Sequence, residues 1–119
     1  RLDDLHAAMR AVKLAVLDEW NLRRAAIARR YLDGLAGLDL VLPVVPDWAE
    51  PAWHLFVVRT PHREALQRAL AARGVATLIH YPIPPHRQEA YASLGYAEGS
   101  FPIAERIHRE VLSLPIGPH

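Results

Sequence analysis

The sequence predicts an α+β fold: a long N-terminal helix, then a small domain with a sheet of three or four strands packed by helices. Three observations predict it. From Leu2 to about Leu32 apolar residues recur at steps of three, four and seven, the period of one helix face. Ala52–Val58 and Val75–His80 are almost wholly apolar runs of strand length, with a helical segment between them. Prolines gather at 43, 46 and 51 and again at 82, 84 and 85, where neither a helix nor a central strand can continue.

Composition sets bounds on function. A chain of 119 residues has material for one domain, and 51% hydrophobic residues suffice for a core. A formal charge of +1 provides no field to draw in nucleic acid or acidic lipid. The longest apolar runs are far too short to cross a membrane, and no charged-then-apolar leader opens the chain. The absence of cysteine rules out disulfides and thiol chemistry and fits a reducing, cytoplasmic setting.

Taken in order, the first helix carries Leu2, Leu5, Met9, Val12, Val16, Trp20, Ile27 and Tyr31 on one face, with a kink or break midway left open. Gly34 and Gly37 offer left-handed stops beyond it. Its arginines 23, 24, 29 and 30 could suggest a nucleic-acid stripe. The spacing Glu19–Arg23 and Arg29–Asp33 is instead that of a solvated helix face. Leu40–Val45, flanked by prolines, reads as a short edge strand. In the buried run 52–58, His54 is the polar intruder and reads as a satisfied core histidine. Thr60 and Pro61 suit the start of the next helix, Leu66 and Leu70 its inner face and Gly74 its end. A short helix from about Pro85 to Ser93 closes at Gly95. Ser100 is positioned to cap a further helix with Ile103, Ile107 and Val111 inward, and Leu112–Leu114 reads as a closing strand.

The chemistry-bearing stretch is Thr77 to His86. His80 and Tyr81 stand where a strand ends and a stiff loop begins, and rigid loops on a sheet are where binding groups tend to sit. On residue type alone, a histidine at a strand end is more often a structural hydrogen-bonder than a catalyst. Pro82-x-x-Pro85 also matches the minimal polyproline ligand pattern, a weak signal inside an ordered connection. Seven histidines invite a metal reading, but no pair has ligand spacing on a helix and there is no cysteine, so no metal site is expected.

The phrase Ile79-His80-Tyr81-Pro82-Ile83-Pro84-Pro85-His86, followed by Gln88 and Tyr91, resembles the late active-site segment of the DegT/DnrJ/StrS-type sugar aminotransferases. Arg1-Leu2-Asp3-Asp4-Leu5-His6-Ala7-Ala8 resembles that family's R-L-D-x-L-Q-A-A helix start. Lys13-Leu14, Trp20-Asn21, Arg23-Arg24 and Tyr31 resemble the helix that follows. Trp53–Arg59 resembles its W-H-L-F-V-V-R strand and Leu112–His119 its late S-L-P strand. The likeness runs the length of the chain.

The resemblance implies the aspartate-aminotransferase fold (fold-type I) with pyridoxal 5'-phosphate (PLP) as cofactor. Residues 1–35 would connect to a large PLP domain, and residues 36–119 would form the small C-terminal α+β domain, cut short at its end. His80 and Tyr81 would border the substrate, near the sugar or its nucleotide-linked phosphates. Arg1 resembles the last residue of an N-x-R motif whose Asn approaches a PLP phosphate across a homodimer interface. His6 stands where the family has Gln.

PLP catalysis needs a lysine amine, and Lys13 is the only lysine in the chain. It lies mid-helix, with no glycine-rich phosphate cradle nearby. By resemblance the Schiff-base lysine lies upstream of Arg1, so no catalytic residue is expected in this chain. The implied activity of the intact protein is transfer of an amino group, from glutamate, to a nucleotide-linked keto-deoxysugar. The alternative is a stand-alone small-domain module that binds a partner protein or a sugar nucleotide without catalysis.

Overall fold

The computed structural model describes residues 3–119. The first helical stretch is two helices, α1 (Asp4–Leu14) and α2 (Leu17–Leu35), rather than one long helix. The break falls at Ala15–Val16, where β-branched Val16 takes φ −115° and ψ 5°. Asp18 and Glu19 then sit in the first turn of α2, where acidic side chains favour a new helix start. Asp3 caps α1, its carboxylate accepting from the His6 N–H at 2.8 Å. That bond, together with the His6 ring, holds the Asp3 carboxyl below its ordinary range. Of the two ion pairs expected on the α2 surface, Glu19–Arg23 forms.

The sheet is smaller than expected. Strands β1 (Phe56–Arg59) and β2 (Val111–Leu114) pair antiparallel in the register Phe56↔Leu114, Val57↔Ser113, Val58↔Leu112, Arg59↔Val111. Each flank adds a single bridge, Val41↔Arg59 on one side and Leu78↔Ser113 on the other. The expected strands 40–45 and 75–80 are thus reduced to one paired residue each. Pro43 and Pro46 lack the donors a longer ladder needs on one flank, and Pro82 limits the other. The run 52–58 is likewise strand only from Phe56. Trp53 adopts φ 50°, which turns the chain and leaves His54 exposed instead of buried in the core.

One face of the pair builds the core. Phe56, Val58 and Leu112 are fully buried, and Ala28 of α2 and Leu114 complete the cluster. Tyr31, Leu32 and Leu35 of α2 pack onto it, as do Leu66 and Leu70. Each large apolar side chain removed from water contributes roughly 1.5–3 kcal/mol. The Tyr31 ring lies 4.9 Å from that of Phe56, and its hydroxyl donates to the Pro115 carbonyl at 2.8 Å. Burial raises its phenol pKa above the ordinary value.

The helices after β1 are set by local polar contacts. Helix α3 (Arg63–Ala71) follows a turn in which the Thr60 hydroxyl accepts from the His62 N–H at 3.1 Å, so Thr60 and Pro61 precede the helix rather than cap it. It closes on Gly74 at φ 75°, with Val75 N–H bonded to the Leu70 carbonyl and Gly74 N–H to that of Ala71, a Schellman arrangement. The expected helix 85–93 is two 3-10 turns, Pro85–Arg87 and Glu89–Leu94, closed by Gly95 at φ 70°. Helix α4 (Pro102–Glu110) leads directly into β2. Ser100 does not cap α4. Glu105 reaches back instead, accepting from the N–H groups of Gly99 and Phe101. Among the described residues, no helix is long and apolar enough to cross a membrane.

Candidate functional site

Position 113 is the one polar place in β2. Strand alternation turns Ser113 away from the core face occupied by Leu112 and Leu114, yet it is only 4% exposed. Its backbone N–H donates to the Leu78 carbonyl at 2.8 Å, and its carbonyl accepts from the Leu78 N–H at 3.2 Å. This bridge fixes the segment that carries His80 two residues on. The His80 Nδ1 then lies 2.9 Å from the Ser113 hydroxyl oxygen. Among the described residues the other ring nitrogen, Nε2, has no protein partner and is not fully buried in this half-buried side chain.

Tyr81 follows, joined to His80 by a cis peptide, with its ring edge-on to the imidazole at 5.5 Å and 65% exposed. Its backbone is held from α4, where His108 Nδ1 donates to the Tyr81 carbonyl at 2.6 Å. A carbonyl only accepts, so that bond fixes the His108 proton on Nδ1. The His108 carbonyl in turn accepts from the Arg63 guanidinium at 2.7 Å. One imidazole edge and one phenol are therefore presented side by side, on a backbone tied to β2 and to α4. Both groups can donate hydrogen bonds to hydroxyl, carbonyl or phosphate oxygens.

Beyond the prolines, His86 takes a separate structural role. Its Nε2 donates to Glu105 Oε1 at 3.0 Å, and its ring packs 4.7 Å from that of Phe101. The Gly99 N–H holds the Glu105 carboxyl below the ordinary carboxylate range despite its burial, with the His86 ring and the Phe101 N–H adding to the effect. His80 and His86 thus have different partners on different elements. Among the described residues, no group of three or more His, Asp or Glu is disposed to hold a metal ion.

The remaining expected site residues lie elsewhere. Arg1 falls outside the described residues. Among the described residues, Lys13 is exposed near the end of α1, a helix that contains no buried residue. A broad groove of about 1110 Å³ runs between α2 and the Val45–Trp53 segment, and neither His80 nor Tyr81 lines it. The supports of the site, Ser113, His108 and Arg63, were not legible as such in the sequence. A lone serine inside the apolar run Val111–Leu114 was the available signal.

Comparison with known proteins gives this geometry a context. The model of the DegT/DnrJ/EryC1/StrS aminotransferase family matches residues 1–119. The dTDP-3-amino-3,4,6-trideoxy-alpha-D-glucose transaminase of Streptomyces venezuelae is 54% identical over 120 residues, covering 100% of this chain and 32% of that protein. The crystal structure of S. venezuelae DesV in complex with a ketimine intermediate aligns at a TM-score of 0.95 and 54% identity, over 100% of this chain and 32% of that one. NtdA from Bacillus subtilis, solved with bound cofactor PMP, aligns at a TM-score of 0.69 and 30% identity, over 83% of this chain and 24% of that one. The chain spans about a third of the length of the curated relatives it matches. It belongs to the DegT/DnrJ/EryC1/StrS aminotransferase family.

Proposed function

We propose that this chain is the small-domain part of a PLP-dependent aminotransferase that moves an amino group, from glutamate, onto a keto-deoxysugar carried on a nucleotide. The S. venezuelae relative, a dTDP-amino-sugar transaminase, supports the substrate class. The PMP bound to NtdA supports the cofactor. PLP supplies an electron sink for amino transfer when bound. In this reading the lysine that carries it lies outside the chain, since Lys13 is unsuited.

The chain is divided in this reading into a connecting part, residues 1–35, and a small domain, residues 36–119. The intact enzyme is a cytoplasmic homodimer with Arg1 near the cofactor phosphate and the subunit interface. His80 and Tyr81 border the bound sugar or its nucleotide phosphates. The observation that carries this assignment is the His80 ring itself, anchored through one nitrogen and open at the other, next to an exposed phenol.

The test uses the full-length enzyme with His80→Ala and Tyr81→Phe. A hydrogen bond to a charged group is worth roughly 1.5–3 kcal/mol, so kcat/KM for the nucleotide sugar should fall by about one to two powers of ten. PLP affinity, followed by absorbance titration, should not move. Unchanged sugar kinetics in both variants would return His80 and Tyr81 to a purely structural role.

A further inference from the structure

We infer that Ser113 is a positioning residue that holds His80 in its Nε2–H tautomer, so that the ring offers a donor to an acceptor oxygen of the bound sugar nucleotide. The inference rests on the substrate-facing role proposed for His80. Its physical basis is independent of that role and lies in the hydrogen-bond capacity of a buried hydroxyl.

The Ser113 side chain has one partner among the described residues, His80 Nδ1 at 2.9 Å. Two arrangements fit that distance. Either the serine O–H donates to an unprotonated Nδ1, or a protonated Nδ1 donates to the serine oxygen. In the second arrangement the serine proton has nowhere to go. Among the described residues the hydroxyl meets no acceptor other than His80, and the residue is only 4% exposed. An orphaned buried donor is costly and rare, whereas an oxygen with unused lone pairs is tolerated more readily. The first arrangement therefore prevails, and the imidazole proton resides on Nε2.

That nitrogen is the one without a protein partner among the described residues. An N–H at this place can bond an oxygen that only accepts, a keto oxygen of the sugar or a phosphate oxygen of its nucleotide, which a bare ring nitrogen cannot. The opposite tautomer would present a lone pair there and would favour a sugar hydroxyl. Ser113, which lies on β2 and has no open face of its own, thereby sets the polarity of a contact it does not make.

The test uses the full-length enzyme labelled with 15N-histidine, with the His80 signals assigned by their loss in His80→Gln. The wild type is expected to show an unprotonated Nδ1 and a protonated Nε2. Ser113→Ala is expected to mix the two tautomers and to raise KM for the nucleotide sugar about tenfold with PLP affinity unchanged. Ser113→Thr keeps the hydroxyl and is expected to restore both. Ser113→Ala removes only a hydroxyl, and a near-UV circular dichroism spectrum checks that it folds. A wild-type His80 carrying its proton on Nδ1, or a tautomer that survives Ser113→Ala, overturns the inference. Mixed tautomers with unmoved sugar kinetics overturn the donor role. His80→Ala then locates the fault: if it too is silent, the substrate-facing reading has failed; if it is impaired, only the share given to Ser113 has.

Discussion

Glu105 and His86 are joined by a 3.0 Å hydrogen bond that ties the proline-rich segment to the first turns of α4. The same carboxylate accepts from the Gly99 and Phe101 N–H groups, so a single buried side chain closes the loop after the candidate site.

This gives the fold an acid-sensitive point. The Glu105 carboxyl sits below its ordinary value of 4.5 in the folded chain, chiefly through the Gly99 N–H. A depressed folded pKa means that its stabilising contribution is complete above the ordinary value and is lost as pH falls through the folded one. The protection of residues 81–101 from hydrogen exchange, relative to the intrinsic rate at each pH, should therefore fall below about pH 4.5. Glu105→Gln should show the lowered protection already at neutral pH and a flatter acid response. An acid response identical in the variant would remove Glu105 from this role.

Tyr31→Phe tests the tether between α2 and the chain after β2. It removes the hydroxyl that donates to the Pro115 carbonyl while keeping the ring against Phe56. The expected cost is about 1 kcal/mol by urea denaturation. Phe56→Ala, by contrast, should cost about 3–5 kcal/mol, because it empties the fully buried centre of the core.

Lys13 should be chemically ordinary. Mixing the purified chain with PLP, reducing with borohydride and mapping the product should give no more than trace, non-specific labelling of this exposed lysine. Stoichiometric modification of Lys13 accompanied by amino transfer would contradict the division of labour proposed above.

Helix α1 presents Leu5, Met9 and Val12 along one side, with Leu5 71% and Val12 76% exposed. A contiguous apolar stripe of this kind forgoes roughly 1.5–3 kcal/mol for each side chain left in water. The isolated chain should self-associate through it in sedimentation velocity, and Leu5→Glu with Met9→Glu should shift it towards monomer. A monomer at all concentrations, with α1 well protected from exchange, would favour a self-sufficient binding module.

The parts of this fold that were legible are those whose signal is local. The spacing of Tyr31 and its neighbours marks α2, Leu66 and Leu70 mark α3, and Leu112–Leu114 marks β2. That strand opens one residue earlier, at Val111, which the i+4 spacing placed on the helix, and Ile103 is exposed rather than inward. The short pairing at Val41 and Leu78 was not legible, since the length of a ladder depends on what the partner strand offers and on where prolines interrupt it. His54 misled for a related reason. Its apolar neighbours suggested a buried strand, but the turn at Trp53 precedes the ladder and leaves it in solvent. Likewise Glu105 replaces Ser100 at the start of α4 because its longer side chain reaches three separate donors. At the candidate site the phrase around His80 and Tyr81 was conspicuous, whereas their supports were silent. Ser113 and His80 meet only because the register of a distant pairing sets Leu78 opposite Ser113.

The pairing of β1 with β2 has a further consequence for how the chain reaches its native state. The strands enclose α3, the proline segment and α4, so the core forms only after a long stretch of chain has been looped back. Closing such a loop costs entropy before any contact rewards it, which slows the formation of this core relative to local helix contacts. The two halves of the core are also complementary in a literal sense. A polypeptide ending after Arg59 and another beginning near Pro102 each hold one strand, and neither can bury Phe56 or Leu112 without the other.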